Sequence, residues 1–548
     1  QACPQFSFDL MRPILIIFLF AAFTSTAQEN SSPVVPKVQK QPYVDFYDDD
    51  QTQKYSEGMF LNGKKHGPWI YYYQNGKKQE ESNYNNGKHS GKVTYWYDDG
   101  QRKAEGYFKL YFQNGLLTTL RDSIYRSWYP NGNQSEKGEY DYDVKIGEWS
   151  TYFPEGDLWK KVLYVGGAMH PFEGWNKELI QTLNNGNGIL YDYYEAGPLK
   201  SLVTIKDSII NGLTQHYWEN GNLKSEGTTV DIEQVGLWKY FYEEGEKWKE
   251  IEYEGGELDG AYRNWYPNGE FSVTGTYSKG AKNGKWIWFN STGKLYMQGE
   301  FQSGKQHGHW LYYFENGKVE SEGEFADDLR EGAWKMFYKN GAKWKLGSYK
   351  KDKKDGFWQT FFENGTKLQE GNYTSGKENG KWSSWYENGQ LKDEGVYKEG
   401  LMHGNWVGNF NNGKTNYEGV RMNGLKDGAW NYGYLSGKPR EQGSYKDGKK
   451  DGAWVYYYEA GNVDYECSYK EGSKNGKCTY YFPHGSKMRE EAYEMDRLSG
   501  ASKMWNKTGT LISLRNYKNG VPHGKAVNYD DDGKVLNSMT YKEGARQK

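Results

Sequence analysis

The residues of this chain whose types suit chemistry are nine histidines, three cysteines and several runs of carboxylates. His66, His307, His403 and His523 each stand immediately before a glycine, and a recurring His-Gly is a natural place to look for a metal ligand or a general base. Elsewhere the same slot holds Asn283, Asn379, Asn475, Asp259, Asp355 or Asp427. His, Asn and Asp share a tolerance of left-handed backbone beside a glycine, which reads as turn chemistry. His307 and His309 can point the same way, but no third ligand accompanies them. Asp48-Asp49-Asp50 and Asp530-Asp531-Asp532-Gly533 lack the spaced ligands of a calcium loop, and the second run is an ordinary Asp-Gly turn. Glu322, Glu370 and Glu394 recur in one repeated environment, whereas an acid and a base need two unlike ones. Neither a Gly-rich phosphate loop nor a Gly-x-Ser-x-Gly elbow occurs. These readings predict no catalytic residues, no metal and no cofactor, and hence not an enzyme. Three cysteines are too few for a disulfide framework.

The elements that would position such residues come from a repeat. One glycine returns every 24 residues, from Gly188 through Gly356 and Gly380 to Gly524, without a slip. Upstream, Gly67 and Gly91 keep the spacing, Ser123 replaces the glycine after an eight-residue insertion near 107–122, and Gly147 precedes a 17-residue insertion near 157–187. That makes 19 units. Counting from the anchor glycine as zero, tryptophan stands at +2 (Trp310, Trp334, Trp358, Trp382, Trp406, Trp430, Trp454), aromatics at +5 and +6, Asn-Gly at +8/+9 (ending at Gly365 and Gly389), often Glu-Gly at +14/+15, and an aromatic at +17 (Tyr349, Tyr373). Asn-Gly between aromatic runs is a strong signal for a two-residue type I′ hairpin, in which both residues have positive φ. Such a turn pairs +2 with +15, so Trp358 is expected opposite Gly371 and Trp310 opposite Gly323, the ring covering bare backbone. Strands of about seven residues place Tyr349 opposite Trp358 of the next unit. They make Cys467 and Cys478 diagonal neighbours about 7–8 Å apart, predicted to be free thiols. One face then carries +2, +6 and +17, and the other carries +5 with the Glu and Lys positions.

This motif, Gly-x-Trp followed by paired aromatics, Asn-Gly, Glu-Gly and a tyrosine, resembles the MORN-type repeats, in particular the variant whose members are often described as antitoxins of toxin–antitoxin systems. The resemblance runs from Gly58 to Gly544. It implies an all-β fold, an elongated twisted single-layer antiparallel sheet of tandem 24-residue β-hairpin repeats, serving as a scaffold or recognition surface with no catalytic residues to carry over. Two strands per unit add roughly 10 Å of contour. Cys478, Ser502 and Ala526 replace tryptophan at +2 in the last three units, as degraded caps would.

Composition narrows the partner. Trp 22, Tyr 50 and Phe 23 supply apolar surface that a mean hydropathy of -1.01 conceals. A net charge of -2 provides no global field for nucleic acid or an anionic membrane. Residues 11–27 have the three parts of a secretory signal, too short for a transmembrane segment, with residues 1–10 read as upstream translation, 28–42 as a linker and 43–548 as the repeat array. The expected location is secreted, periplasmic or cell envelope, in a bacterium, where a chain cannot neutralise a cytoplasmic toxin. The expected role is a non-catalytic scaffold for a protein or cell-envelope partner. Carbohydrate or cell-wall binding through the aromatic rows is the alternative, because Gly284 to Tyr296 also resembles the aromatic repeats of cell-wall-binding modules. A secreted enzyme is the third class. In the insertion at 157–187, where "GWNKELIQTL" has the pattern of one short helix, His170 and Trp175 mark the expected partner loop.

Overall fold

A computed structural model describes residues 39–113, 116–195 and 197–548. Those residues form forty-five β-strands and no helix, so none is long and apolar enough to cross a membrane. Residues 1–38, and with them the signal segment and most of the linker, lie outside the described residues. The first strand begins at Lys40, so the end of the segment read as linker belongs to the sheet. The chain divides into two compact units between Met169 and His170. Within each, strands pair antiparallel with their neighbours in sequence.

Most repeats contribute a strand of nine residues and one of eight, such as Lys353–Phe361 and Lys367–Thr374. Trp358 lies opposite Gly371 and Trp310 opposite Gly323, as the repeat predicts. The turn between them differs from the expectation. The carbonyl of Phe362 accepts the Gly365 N–H (2.9 Å) and the Phe362 N–H reaches Thr366 O (2.8 Å), with Gly365 alone at positive φ (88°). That is a three-residue turn with a glycine bulge, and a second irregularity between Thr360 and Phe361 restores the predicted pairing. The two-residue turn with both residues at positive φ sits between units instead, at Ser375 (51°) and Gly376 (88°), where Thr374 pairs with Lys377. Gly365→Val is therefore expected to cost about 1–2 kcal/mol or more, through backbone strain alone because no atom crowds the site. Gly365→Asn, which tolerates the conformation, should unfold close to wild type in urea.

The step between units is also corrected. Gly371 pairs with Trp382 while Asn372 pairs with Asn379, so Gly380 and Lys381 bulge out of the strand. Tyr349 accordingly pairs with Lys354, not Trp358. The shift is two residues, an even number, so every side chain keeps its face. Tyr349 and Trp358 still meet edge to face, with ring centroids 5.0 Å apart. The same shift sets Cys467 directly opposite Cys478 with Cα atoms 4.1 Å apart, and they form a disulfide where free thiols were expected. The bond replaces the Gly-Trp pair of other units.

The residue before each anchor glycine has negative φ, contrary to the left-handed role read for it. In several copies it serves as an acceptor instead. Asp355 Oδ1 takes the Ser375 N–H (3.1 Å), Asp259 Oδ2 the Lys279 N–H (3.1 Å) and His523 Nδ1 the Glu543 N–H (3.3 Å), each at the first residue of the inter-unit turn.

Candidate functional site

Alternation along the paired strands places +2, +4, +15 and +17 on one face, with +1, +3, +5 and +14 on the other. On the first face Trp358 is 3% exposed and Trp310 1%. Each indole leans over the +15 glycine of the preceding hairpin, not the one opposite in its own. A Cβ on Gly347 would fall inside the Trp358 ring, and one on Gly371 inside Trp382. The ring N–H is used as well: Trp358 Nε1 donates to Ser348 O (3.0 Å), Trp334 to Glu324 O (3.1 Å) and Trp454 to Ser444 O (2.9 Å). Tyr349 and Tyr373 flank Trp358, and Trp382, Trp406, Trp430 and Trp454 are buried alike. These positions hold the array together and present little open ring. Gly389 repeats the turn of Gly365, its N–H donating to Tyr386 O (2.9 Å).

A second row escaped the sequence reading. Two residues before the anchor, Lys354 holds its ammonium 4.6 Å from both the Trp358 and Tyr373 rings, and Lys450 lies 3.9 Å from Trp454. Burial pushes the Lys282, Lys354 and Lys426 ammoniums below their ordinary pKa. The signal was present as Lys-x-Gly before the tryptophan in many copies.

The aromatic face opens in the unit of residues up to Met169. Val93 and Tyr125 stand where tryptophan is the rule, and a Cβ on Gly106 would meet only Tyr125 Cδ2, at 3.3 Å. A cavity of about 370 Å³ results, with Tyr95, Phe108, Tyr125, Tyr140, Glu105 and Asp122 among its walls. The eight-residue insertion builds one side: it lengthens the inter-unit hairpin into strands Arg102–Gln113 and Leu116–Trp128. Burial pushes the Tyr95 hydroxyl up to about 12. Burial also pushes Glu105 up, but hydrogen bonds from Lys92 (2.9 Å between ions) and Arg126 (3.1 Å) outweigh it and hold the carboxyl below its ordinary value. Lys109 (2.6 Å) and Tyr111 (2.5 Å) hold Asp122 down to about 2. Carboxyls held this low are ionised at neutral pH and poor proton donors there. The cavity offers ring faces and neutralised charge.

A folded-state pKa below the ordinary 3.8 means that Asp122 stabilises the hairpin above that value and ceases to as pH falls through about 2. The protection of the 102–128 amides, relative to their intrinsic exchange rate, is expected to fall between about pH 4 and 2 in the wild type. Asp122→Asn should exchange faster at neutral pH and lose that acid-dependent step.

The insertion at 157–187 holds neither a helix nor a loop. His170 and Trp175 belong to strand Ala168–Trp175, followed by strands Gln181–Asn184 and Asn187–Tyr193. Its turn repeats the plan of the others, with Asn176 N–H on Ile180 O (3.0 Å) and Leu179 (φ 60°) in the glycine slot. The helical pattern of "GWNKELIQTL" yields to the strand partners beside it, and Leu183, Leu190, Val203 and Ile205 make an aliphatic core in place of an indole. His307 pairs with Glu300 in the ladder, while His309 bonds Glu324 (3.1 Å). Among the described residues no group of three or more His, Cys, Asp or Glu is placed to hold a metal ion.

The family model for the MORN repeat variant matches ten segments: 65–86, 145–165, 210–231, 234–254, 282–303, 306–327, 330–351, 378–399, 450–471 and 522–543. No curated protein matches the chain. Among solved structures, the crystal structure of TcdB2-TccC3-TEV is similar over 92% of this chain and 32% of that one, at 10% identity and a TM-score of 0.13. That of TcdB2-TccC3 is similar over 92% and 31%, at 9% identity and 0.12. The chain spans about a third of the length of those chains.

Proposed function

The chain is a MORN-type repeat protein, and from that premise we propose that it is a non-catalytic scaffold, secreted or held in a bacterial envelope, whose polar face binds a protein partner. The observation that carries this reading is the self-covering of the tryptophan row: rings with buried faces and committed N–H groups hold the array together and leave no open platform for sugars. The opposite face bears rows of ion pairs such as Lys335 with Glu322 (2.7 Å), Lys381 with Glu394 (2.8 Å) and Lys477 with Glu490 (2.6 Å). Such exposed pairs are worth little internally and exchange readily for a partner's charges. The test is a pull-down from envelope extract with the chain from residue 28, compared with single, double and triple charge reversals at Lys335, Lys381 and Lys477. A partner released in steps supports a distributed surface. Retention that ignores all three reversals sinks it.

Glycan binding keeps one specific foothold, the cavity of Tyr95, Phe108, Tyr125 and Tyr140, where rings are not covered by indole. Sedimentation with cell-wall polysaccharide that is lost on Tyr125→Trp, the residue that would close the floor over Gly106, would favour this second reading.

A further inference from the structure

Between Lys354 and Lys474 the lysine row on the aromatic face is broken at one place. Lys354 and Lys426 lie over Trp358 (4.6 Å) and Trp430 (4.8 Å), but in the two repeats between them the same slot holds Glu378 and Met402. The rings that such a lysine would face are all present. Trp382 and Tyr397 have centroids 5.9 Å apart, Tyr397 and Trp406 5.1 Å, and Tyr417 follows. Both indole N–H groups are committed, Trp382 to Asn372 O and Trp406 to Val396 O (3.1 Å each), so the indoles offer π surface and no donor. At +4, where Tyr312, Tyr432 and Tyr456 stand in other repeats, this one has Ser384. Losing the lysine head and the +4 ring together leaves a cavity of about 200 Å³ lined by the four rings, Met402 and Asp393.

The charge of this hollow is the reverse of its neighbours'. Asp393 accepts from the Tyr417 hydroxyl (2.5 Å) and from Ser384 Oγ (3.3 Å), while Glu378, outside the lining, acts electrostatically on Tyr397 and also on Lys354 and Tyr373. The guanidinium of Arg421 also bears on Tyr397 and Tyr417, but its Nη1 donates to Gly424 O (2.9 Å) and its plane lies over Trp430 at 5.4 Å. The cavity lining carries one carboxylate, Asp393, and no lysine or arginine. We propose that the cavity between Trp382, Tyr397, Trp406 and Tyr417 binds an alkylammonium group brought by a ligand, which takes the place that the protein's own lysine fills in the adjoining repeats. Indole and phenol faces attract an ammonium through their quadrupole, and methylated nitrogen suits an aromatic cage because little hydration is lost.

The site is independent of the scaffold reading, since a small cation binding to the purified chain is read without any partner. The test is calorimetric titration of the chain from residue 28 with choline, tetramethylammonium, N-acetyl-lysine amide, its trimethylated form, and the uncharged choline isostere 3,3-dimethylbutan-1-ol. Saturable binding of the methylated ammoniums is expected, with the uncharged isostere at least about tenfold weaker. Comparison of choline with the trimethylated lysine amide separates a free headgroup from a peptide side chain as the source. Met402→Lys restores the array's own residue, so it should leave thermal unfolding unchanged or raised while abolishing binding. Asp393→Asn should weaken choline about tenfold through loss of the adjacent charge. No saturable binding of any ammonium probe, equal binding of the uncharged isostere, or undiminished binding by a folded Met402→Lys protein would overturn the proposal.

Discussion

Trp358→Ala is expected to destabilise its repeat by about 3–5 kcal/mol, the range for a buried tryptophan emptied to alanine. The ring is 3% exposed, covers the backbone of Gly347, packs edge-on against Tyr349 and Tyr373 and carries the Lys354 ammonium on its face. Its removal also leaves the Ser348 carbonyl without the indole N–H. The loss should be local, because each hairpin touches only its neighbours. Hydrogen exchange of residues 343–374 is predicted to rise well before that of residues 425–457. Trp358→Phe should recover part of the loss but not the hydrogen bond. A change near zero for the alanine variant would mean that the +2 rings are not the core of the array.

Deletion of one whole period, Gly332 to Asp355, is expected to give a folded protein, whereas deletion of Gly332 to Lys343 is expected to aggregate or unfold locally. The first removes 24 residues and joins Glu331 to Gly356, keeping an acceptor before the anchor glycine. Trp358 then leans over Gly323 in place of Gly347, and Phe325 takes the position of Tyr349. Strand direction is unchanged, and the contour shortens by about 10 Å, two strand spacings. Removing 12 residues instead takes out about one strand, so each later strand meets its neighbour in the wrong direction and shows the wrong groups to the ladder. Circular dichroism and sedimentation separate the two outcomes. A soluble, cooperative half-period variant would show that the units are not hairpins. Complete loss of partner binding on deleting this ordinary repeat would remove the distributed surface proposed here.

What the sequence by itself determined was the unit: its 24-residue length, the pairing of Trp358 with Gly371 and the aromatic contact of Tyr349 with Trp358. These follow from period and parity, which a chain repeating itself states many times over. The bulge at each anchor glycine was decided only in three dimensions, because Gly380 and Lys381 leave the ladder to let an indole seat on the previous hairpin's glycine. That two-residue step preserves every face, so pattern could not reveal it, and it is what makes Cys467 and Cys478 partners. The turns exchanged roles for a related reason. Asn364-Gly365 is compatible with either hairpin geometry, and the bulge that follows it selects the wider one. Candidate sites were legible least. His170 and Trp175 stood out as breaks in the wording, yet a strand paired with the one that follows it absorbed them. The cavities arise where the wording nearly holds, at Val93 and Tyr125 and at Met402 and Ser384, because a missing ring or ammonium becomes a space only when neighbouring repeats are fixed around it.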